Sequence, residues 1–141
     1  KMKAKLITLL AFLFLAAGGL QAQTVNKLNY DRFIKEVWDF EKNPKELVYK
    51  GKLPCVIDFY ADWCGPCRRV APIMEKLAKD YEGKIIIYKV NVDQEKQLAA
   101  TFEAKSIPMV LFFPKKGQPL MQVGALTETQ FKEIIDKNLL Q

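Results

Sequence analysis

Two cysteines three positions apart, Cys64 and Cys67, are the residues in this chain best suited to chemistry. They enclose Gly65 and Pro66 and follow Trp63. A Cys-x-x-Cys pair can cycle between dithiol and disulfide, exchanging two electrons with another disulfide. The pair stands where the apolar run from Cys55 to Tyr60 gives way to a helical pattern, so Cys64 falls at the first turn of a helix. Unpaired backbone N–H groups and the helix dipole favour negative charge there. That lowers a thiol pKa from its free value of about 8.5 and enriches the thiolate. Cys64 is therefore the expected nucleophile. Cys67, one turn further in and more shielded, is the expected resolving thiol that attacks a mixed disulfide. Two purely structural thiols are the alternative, and the company of Trp63, Gly65 and Pro66 argues against it.

Gly65 and Pro66 offer a thiolate no positive charge and few donors, whereas a histidine between the cysteines would stabilise the reduced form. The gap between strongly reducing and strongly oxidising pairs is about 150 mV, on the order of 7 kcal/mol for two electrons. The dipeptide is thus able to set the direction of electron flow, and here it points to a reducing pair. The chain has three cysteines and no histidine, which excludes Cys–His catalysis and histidine-bearing metal sites. A zinc site would have only Cys55 as a further thiol. No metal and no cofactor are expected, and Cys55, opening an apolar strand, reads as an inert core thiol.

The elements that must position the pair follow from periodicity. Leu28, Phe33, Val37, Trp38 and Phe40 suggest a short strand, then a helix capped by Asn29. The charged stretch from Glu41 to Lys52, with Asn43-Pro44 and Gly51, reads as a surface connection. Cys55 to Tyr60 fits a central strand covered on both faces, with one acid, Asp58, inside it. Val70, Ile73, Met74, Leu77, Ala78 and Tyr81 mark one face of a long helix that contains Pro72 and stops at Gly83. Lys84 to Val92 reads as a second buried strand, and Asp93 as the cap of a helix running to about Ala104. Met109 to Phe113 and Pro119 to Val123 form a hairpin, the second strand at an edge because of its proline. Thr127 and Gln130 make a capping box that opens a last helix facing inward with Phe131, Ile134, Ile135 and Leu139. The order is β-α-β-α-β-α-β-β-α, an α/β domain with right-handed parallel crossovers and a closing hairpin.

The chain has 141 residues, half of them apolar, enough for one globular core. Its first 22 residues differ from the rest. Lys1, Lys3 and Lys5 precede an apolar run from Leu6 to Ala17, then Leu20-Gln21-Ala22, the pattern of a secretory signal peptide cut after Ala22. The run is short for a permanent span, which needs roughly 20 apolar residues, so membrane anchoring is the fallback. Residues 1–22 are thus expected to be a cleaved leader and 23–141 the folded domain. Three of the 22 basic residues and none of the 16 acidic ones lie in the leader, so the remainder carries +3. Those charges are interleaved, without a basic stripe, and give no support to a nucleic-acid partner.

Tyr60-Ala61-Asp62-Trp63-Cys64-Gly65-Pro66-Cys67-Arg68, followed by Pro72, resembles the active-site segment of thioredoxins. So do Lys89-Val90-Asn91-Val92-Asp93, Ser106-Ile107-Pro108 and Val123-Gly124-Ala125-Leu126, in family order from about Leu28 to Leu139. The resemblance implies a thioredoxin fold, a central mixed sheet flanked by helices, and protein disulfide reductase activity. The leader and the connection from Asp39 to Lys52 depart from the short cytosolic form. By the resemblance, Asp58 is a buried carboxylate behind the disulfide that accepts the proton of Cys67, and Lys89 supports it. Ile107-Pro108 resembles the family's cis-proline segment, with Ile107 offering backbone groups to an extended substrate. Trp63, Gly65, Pro66, Ile107, Pro108, Gly124 and Ala125 are expected to form the docking surface.

The implied partners are disulfide-containing proteins, together with a membrane electron donor or a thioredoxin reductase-like reductant. A monomer is expected, and the leader implies a periplasmic or extracellular location. Other readings are a dedicated reductant for cytochrome maturation, an isomerase, or a docking module with incidental thiols. An isomerase is the less expected of these, since no dimerisation domain is read in the sequence.

Overall fold

A computed structural model describes residues 24–141; the expected leader, residues 1–22, lies outside them. Nine elements follow in the expected order: β1 (Asn26–Lys27), α1 (Tyr30–Glu36), β2 (Cys55–Tyr60), α2 (Gly65–Asp80), β3 (Ile86–Asn91), α3 (Lys96–Thr101), β4 (Met109–Phe113), β5 (Leu120–Val123) and α4 (Glu128–Asn138). The five strands form one mixed sheet in the order β1-β3-β2-β4-β5. β1, β3 and β2 run parallel, β4 is antiparallel to β2, and β5 is antiparallel to β4. Among the described residues no helix is long and apolar enough to cross a membrane.

The apolar run of β2 is continuous because the strand is central and both of its faces are covered. Successive side chains point to opposite faces. Cys55, Ile57 and Phe59 pack with α1 and α3, alongside Phe33, Leu98, Leu111 and Phe113. Val56 packs the other way, with Val70, Met74 and Leu77 of α2 and Phe131 and Ile135 of α4. Asp58 has the parity of Val56 and so falls on the α2 side of the sheet, in a strand otherwise committed to the core. Pro119 lies just ahead of β5, an edge strand, where a missing N–H costs no ladder bond.

Asn29 caps α1 by accepting from the Arg32 amide at 2.9 Å, and the Thr127–Gln130 capping box is fully formed. β3 is shorter than the expected Lys84 to Val92, α2 ends at Asp80 ahead of Gly83, and both expected ends of α3 moved. The Asn91 side chain accepts from the amides of Asp93 and Gln94 at 2.9 and 3.3 Å. The turn this makes delays α3 to Lys96, and Asp93 does not cap it. At its other end α3 stops at Thr101, because Glu103 adopts a left-handed backbone (φ 51°) and the Ala104 amide returns to Ala99 O at 2.8 Å. The connection after α1 is tied down. Trp38 Nε1 donates to Glu46 O at 3.1 Å and the Lys50 amide to Val37 O at 2.8 Å, while Tyr49 stacks on Phe113.

Candidate active site

The antiparallel pairing of β2 with β4 decides what surrounds the cysteines. β2 ends at Tyr60, where the chain turns into α2, and Phe59 lies opposite Met109, the first residue of β4. The residues just before β4 therefore arrive beside the start of α2. These are Ile107 and Pro108, joined by a cis peptide bond. Met109 in turn lies opposite Val123 of β5, and the next residue, Gly124, donates its amide to Pro108 O at 2.8 Å. Gly124 has φ 100°, a conformation that a side chain would strain. Three segments distant in sequence thus converge through strand pairing alone.

Cys64 is the N-cap of α2, and Pro66 stands in the helix's first turn, where its missing N–H is not needed. Cys64 and Cys67 are joined as a disulfide, with Cα atoms 5.3 Å apart. The Cys67 amide donates to Cys64 Sγ at 3.2 Å, and Cys64 Sγ lies 3.7 Å from the Ile107 carbonyl oxygen. The first contact is what a thiolate at Cys64 would use, since a hydrogen bond to the charged form favours it. Both sulfurs are shielded, packed with Ala61 and flanked by Tyr60, Val92 and Ile107. Gly65 faces open space, so no steric demand inside the fold requires glycine there.

Trp63 is 67% exposed. A large apolar side chain gains about 1.5–3 kcal/mol on full burial, so leaving one in water suits a surface that a partner covers. Its ring is nevertheless held in place, because Nε1 donates to Asp93 Oδ2 at 2.9 Å. In the sequence Asp93 reads as the cap of α3. No local pattern links positions 63 and 93; only the pairing of β2 with β3 brings the ends of those strands together.

Behind the disulfide, Asp58 is 4% exposed and its Oδ1 has no hydrogen-bond partner. Burial pushes its carboxyl up to about 7 from an ordinary 3.8, against the opposing pull of the Lys89 charge. Lys89 lies directly across from Asp58 in the β2–β3 register, with its Nζ 6.0 Å from the centre of the Tyr60 ring. Asp58, Lys89 and Cys67 all line one cavity of about 320 Å³, which Glu75 and Asp62 also border. A cavity of that size, with carboxylates and an ammonium set among mostly apolar walls, has room for several waters. Tyr60, the first residue of the active-site motif, lines this cavity too, and Glu75 joins it with no signal in the sequence beyond its place in α2.

Cys55 is fully buried on the opposite side of β2, free and away from the pair, and burial pushes its thiol up to about 12. Among the described residues no group of cysteine, aspartate and glutamate side chains is arranged to hold a metal ion.

A family model described as Thioredoxin matches residues 23–137. The chain is 44% identical to a thioredoxin of Borreliella burgdorferi over 108 residues, 77% of this chain and 92% of that protein. Over 96 residues it is 43% identical to thioredoxin 1 of a Nostoc species, covering 67% of this chain and 89% of the relative. Against the chloroplastic M-type thioredoxin of Spinacia oleracea the identity is 39% over 107 residues, 75% of this chain and 59% of that one. The disulfide between Cys64 and Cys67 at the head of α2 is therefore a redox centre, and the chain belongs to the thioredoxin family, as a thiol–disulfide oxidoreductase that reduces protein disulfides.

Proposed function

We propose that the chain is an exported, monomeric protein disulfide reductase in which Asp58 manages the proton of the resolving thiol. In the reduced protein the Cys64 thiolate attacks one sulfur of a substrate disulfide. That bond breaks, one substrate thiolate leaves, and Cys64 is held in a mixed disulfide. Cys67 then gives its proton through the cavity to the Asp58 carboxylate and attacks Cys64 Sγ. The mixed bond breaks, the second substrate thiolate leaves, and the Cys64–Cys67 disulfide forms. Two electrons have passed to the substrate. An external dithiol, from a membrane electron donor or a reductase, must return them.

The observation that carries this reading is a buried carboxyl with an unpartnered oxygen on the wall of the cavity that Cys67 shares. A proton affinity near neutrality suits a group that must both accept and release a proton. Lys89, opposite Asp58, supports the charged form. Trp63, Gly65, Pro66, Ile107, Pro108, Gly124 and Ala125 form the docking face. Export rests on the basic and apolar pattern of residues 1–22. Asp58→Asn, in stopped-flow, is expected to slow resolution of the mixed disulfide while leaving its formation near wild type. Equal resolution rates in the two proteins would remove Asp58 from this role. Mass measurement of the protein secreted across the inner membrane should find a chain beginning at Gln23.

A further inference from the structure

Tyr60 ends β2 two residues beyond Asp58, so the two side chains leave the same face of the sheet. Lys89, directly across from Asp58, reaches the Tyr60 ring and does not hydrogen-bond to Asp58 Oδ1. Its ammonium sits 6.0 Å from the ring centroid, at the range where a cation is drawn to an aromatic face. A second cavity, of about 220 Å³, is bordered by this pair and by Lys27, Asn91 and Glu95. Tyr60 and Lys89 are the two residues common to both cavities. Lys89 therefore borders both the cavity that Asp58 lines and the one that Glu95 lines.

We propose that Tyr60 is a positioning residue, its ring holding the Lys89 ammonium within reach of Asp58 and thereby setting the pH at which that carboxyl gives up its proton. The inference rests on the Asp58 and Lys89 roles proposed above. The titratable and charged groups that share the cavity of Asp58 are Lys89 on β3, Asp62 in the turn after β2, and Cys67, Arg68 and Glu75 on α2. Of these, Lys89 is the one whose charge lowers the proton affinity of Asp58. Without the ring, the lysine side chain is free to turn toward Glu95 and solvent. Asp58 then loses part of that attraction and holds its proton to higher pH. The phenol oxygen has no part in this, so phenylalanine should serve as well as tyrosine.

The test is a carbon-13 NMR titration of the Asp58 carboxyl in the oxidised full chain, with the pH profile of mixed-disulfide resolution as a second readout. Tyr60→Leu should raise the midpoint by about half a pH unit, and Tyr60→Phe should leave it in place. Lys89→Met alone should raise it, and adding Tyr60→Leu to that variant should produce no further rise. A downward shift in Tyr60→Leu would mean that the ring acts by excluding water, and would overturn the proposal. So would an equal rise with and without Lys89. If Tyr60→Leu does not fold, Tyr60→Met makes the same comparison with a side chain closer in length. The NMR midpoint does not depend on catalysis. If Asp58→Asn resolves normally while the midpoint still follows Tyr60, the proton-acceptor role falls and the positioning role stands.

Discussion

Replacing Asp58 by asparagine should stabilise the folded protein, and by an amount that depends on pH. In the unfolded chain the carboxyl titrates near 3.8, and in the oxidised folded protein near 7. Between these values the folded state binds more protons than the unfolded one, so stability must fall as pH rises. The contribution is fully present below the unfolded value, is lost progressively up to the folded one, and is flat above it. A shift of about three units corresponds to about 4 kcal/mol at most. Little of that needs discounting for solvent, because the side chain is 4% exposed. Between about pH 5 and about pH 8.5 the wild type should lose about 3 kcal/mol relative to Asp58→Asn, since part of the penalty is already present at the lower pH.

Urea denaturation of both oxidised proteins at those two pH values measures the difference directly, provided the denaturant slopes agree. Asparagine keeps the shape, so packing changes cancel between the two conditions. A gap between the proteins that does not widen with pH would refute the buried, proton-holding carboxyl. A gap that widens toward low pH would mean that Asp58 is stabilised as an anion, by Lys89 or by water in the cavity.

Pro66→His should raise the reduction potential by tens of millivolts, because a cation beside Cys64 favours the reduced form; equilibration against glutathione reads this, and 30 mV is about 1.4 kcal/mol. Asp93→Ala removes the acceptor of the Trp63 indole. It should raise KM for a protein disulfide severalfold while leaving the rate with a small disulfide unchanged, and equal effects on both would assign the loss to the thiols. In the reduced native protein iodoacetamide should label Cys64 and spare Cys55, which burial holds near 12; mass spectrometry after digestion should find Cys55 modified only when urea is present during labelling.

Much of the fold was legible because its signals are local. The continuous apolar run of β2, the period of α2, the Asn29 cap and the Thr127–Gln130 box depend on residues within a few positions of one another, and each formed as expected. α3 reads longer in the sequence than it is, for the same reason. The Asn91 side chain took the amides that Asp93 was expected to organise, and the left-handed turn at Glu103 cut the helix short. Competition between neighbouring caps is decided by geometry that residue types do not carry.

The sequence by itself determined that this chain has a dithiol pair at a helix start, with no charge between the cysteines and no histidine anywhere. It also marked β2 as a strand covered on both faces, because such strands read as near-continuous apolar runs. Tertiary structure decided what the pair faces. Strand register set Lys89 across from Asp58, antiparallel pairing carried Ile107 and Pro108 to the sulfurs, and the joined ends of β2 and β3 gave Trp63 its acceptor in Asp93. It also turned Asp58 from an acid in an apolar run into a carboxyl that holds its proton near neutrality. The reason is physical: proton affinity and docking surface depend on what lies across the sheet, and that distance is short in space and long in sequence.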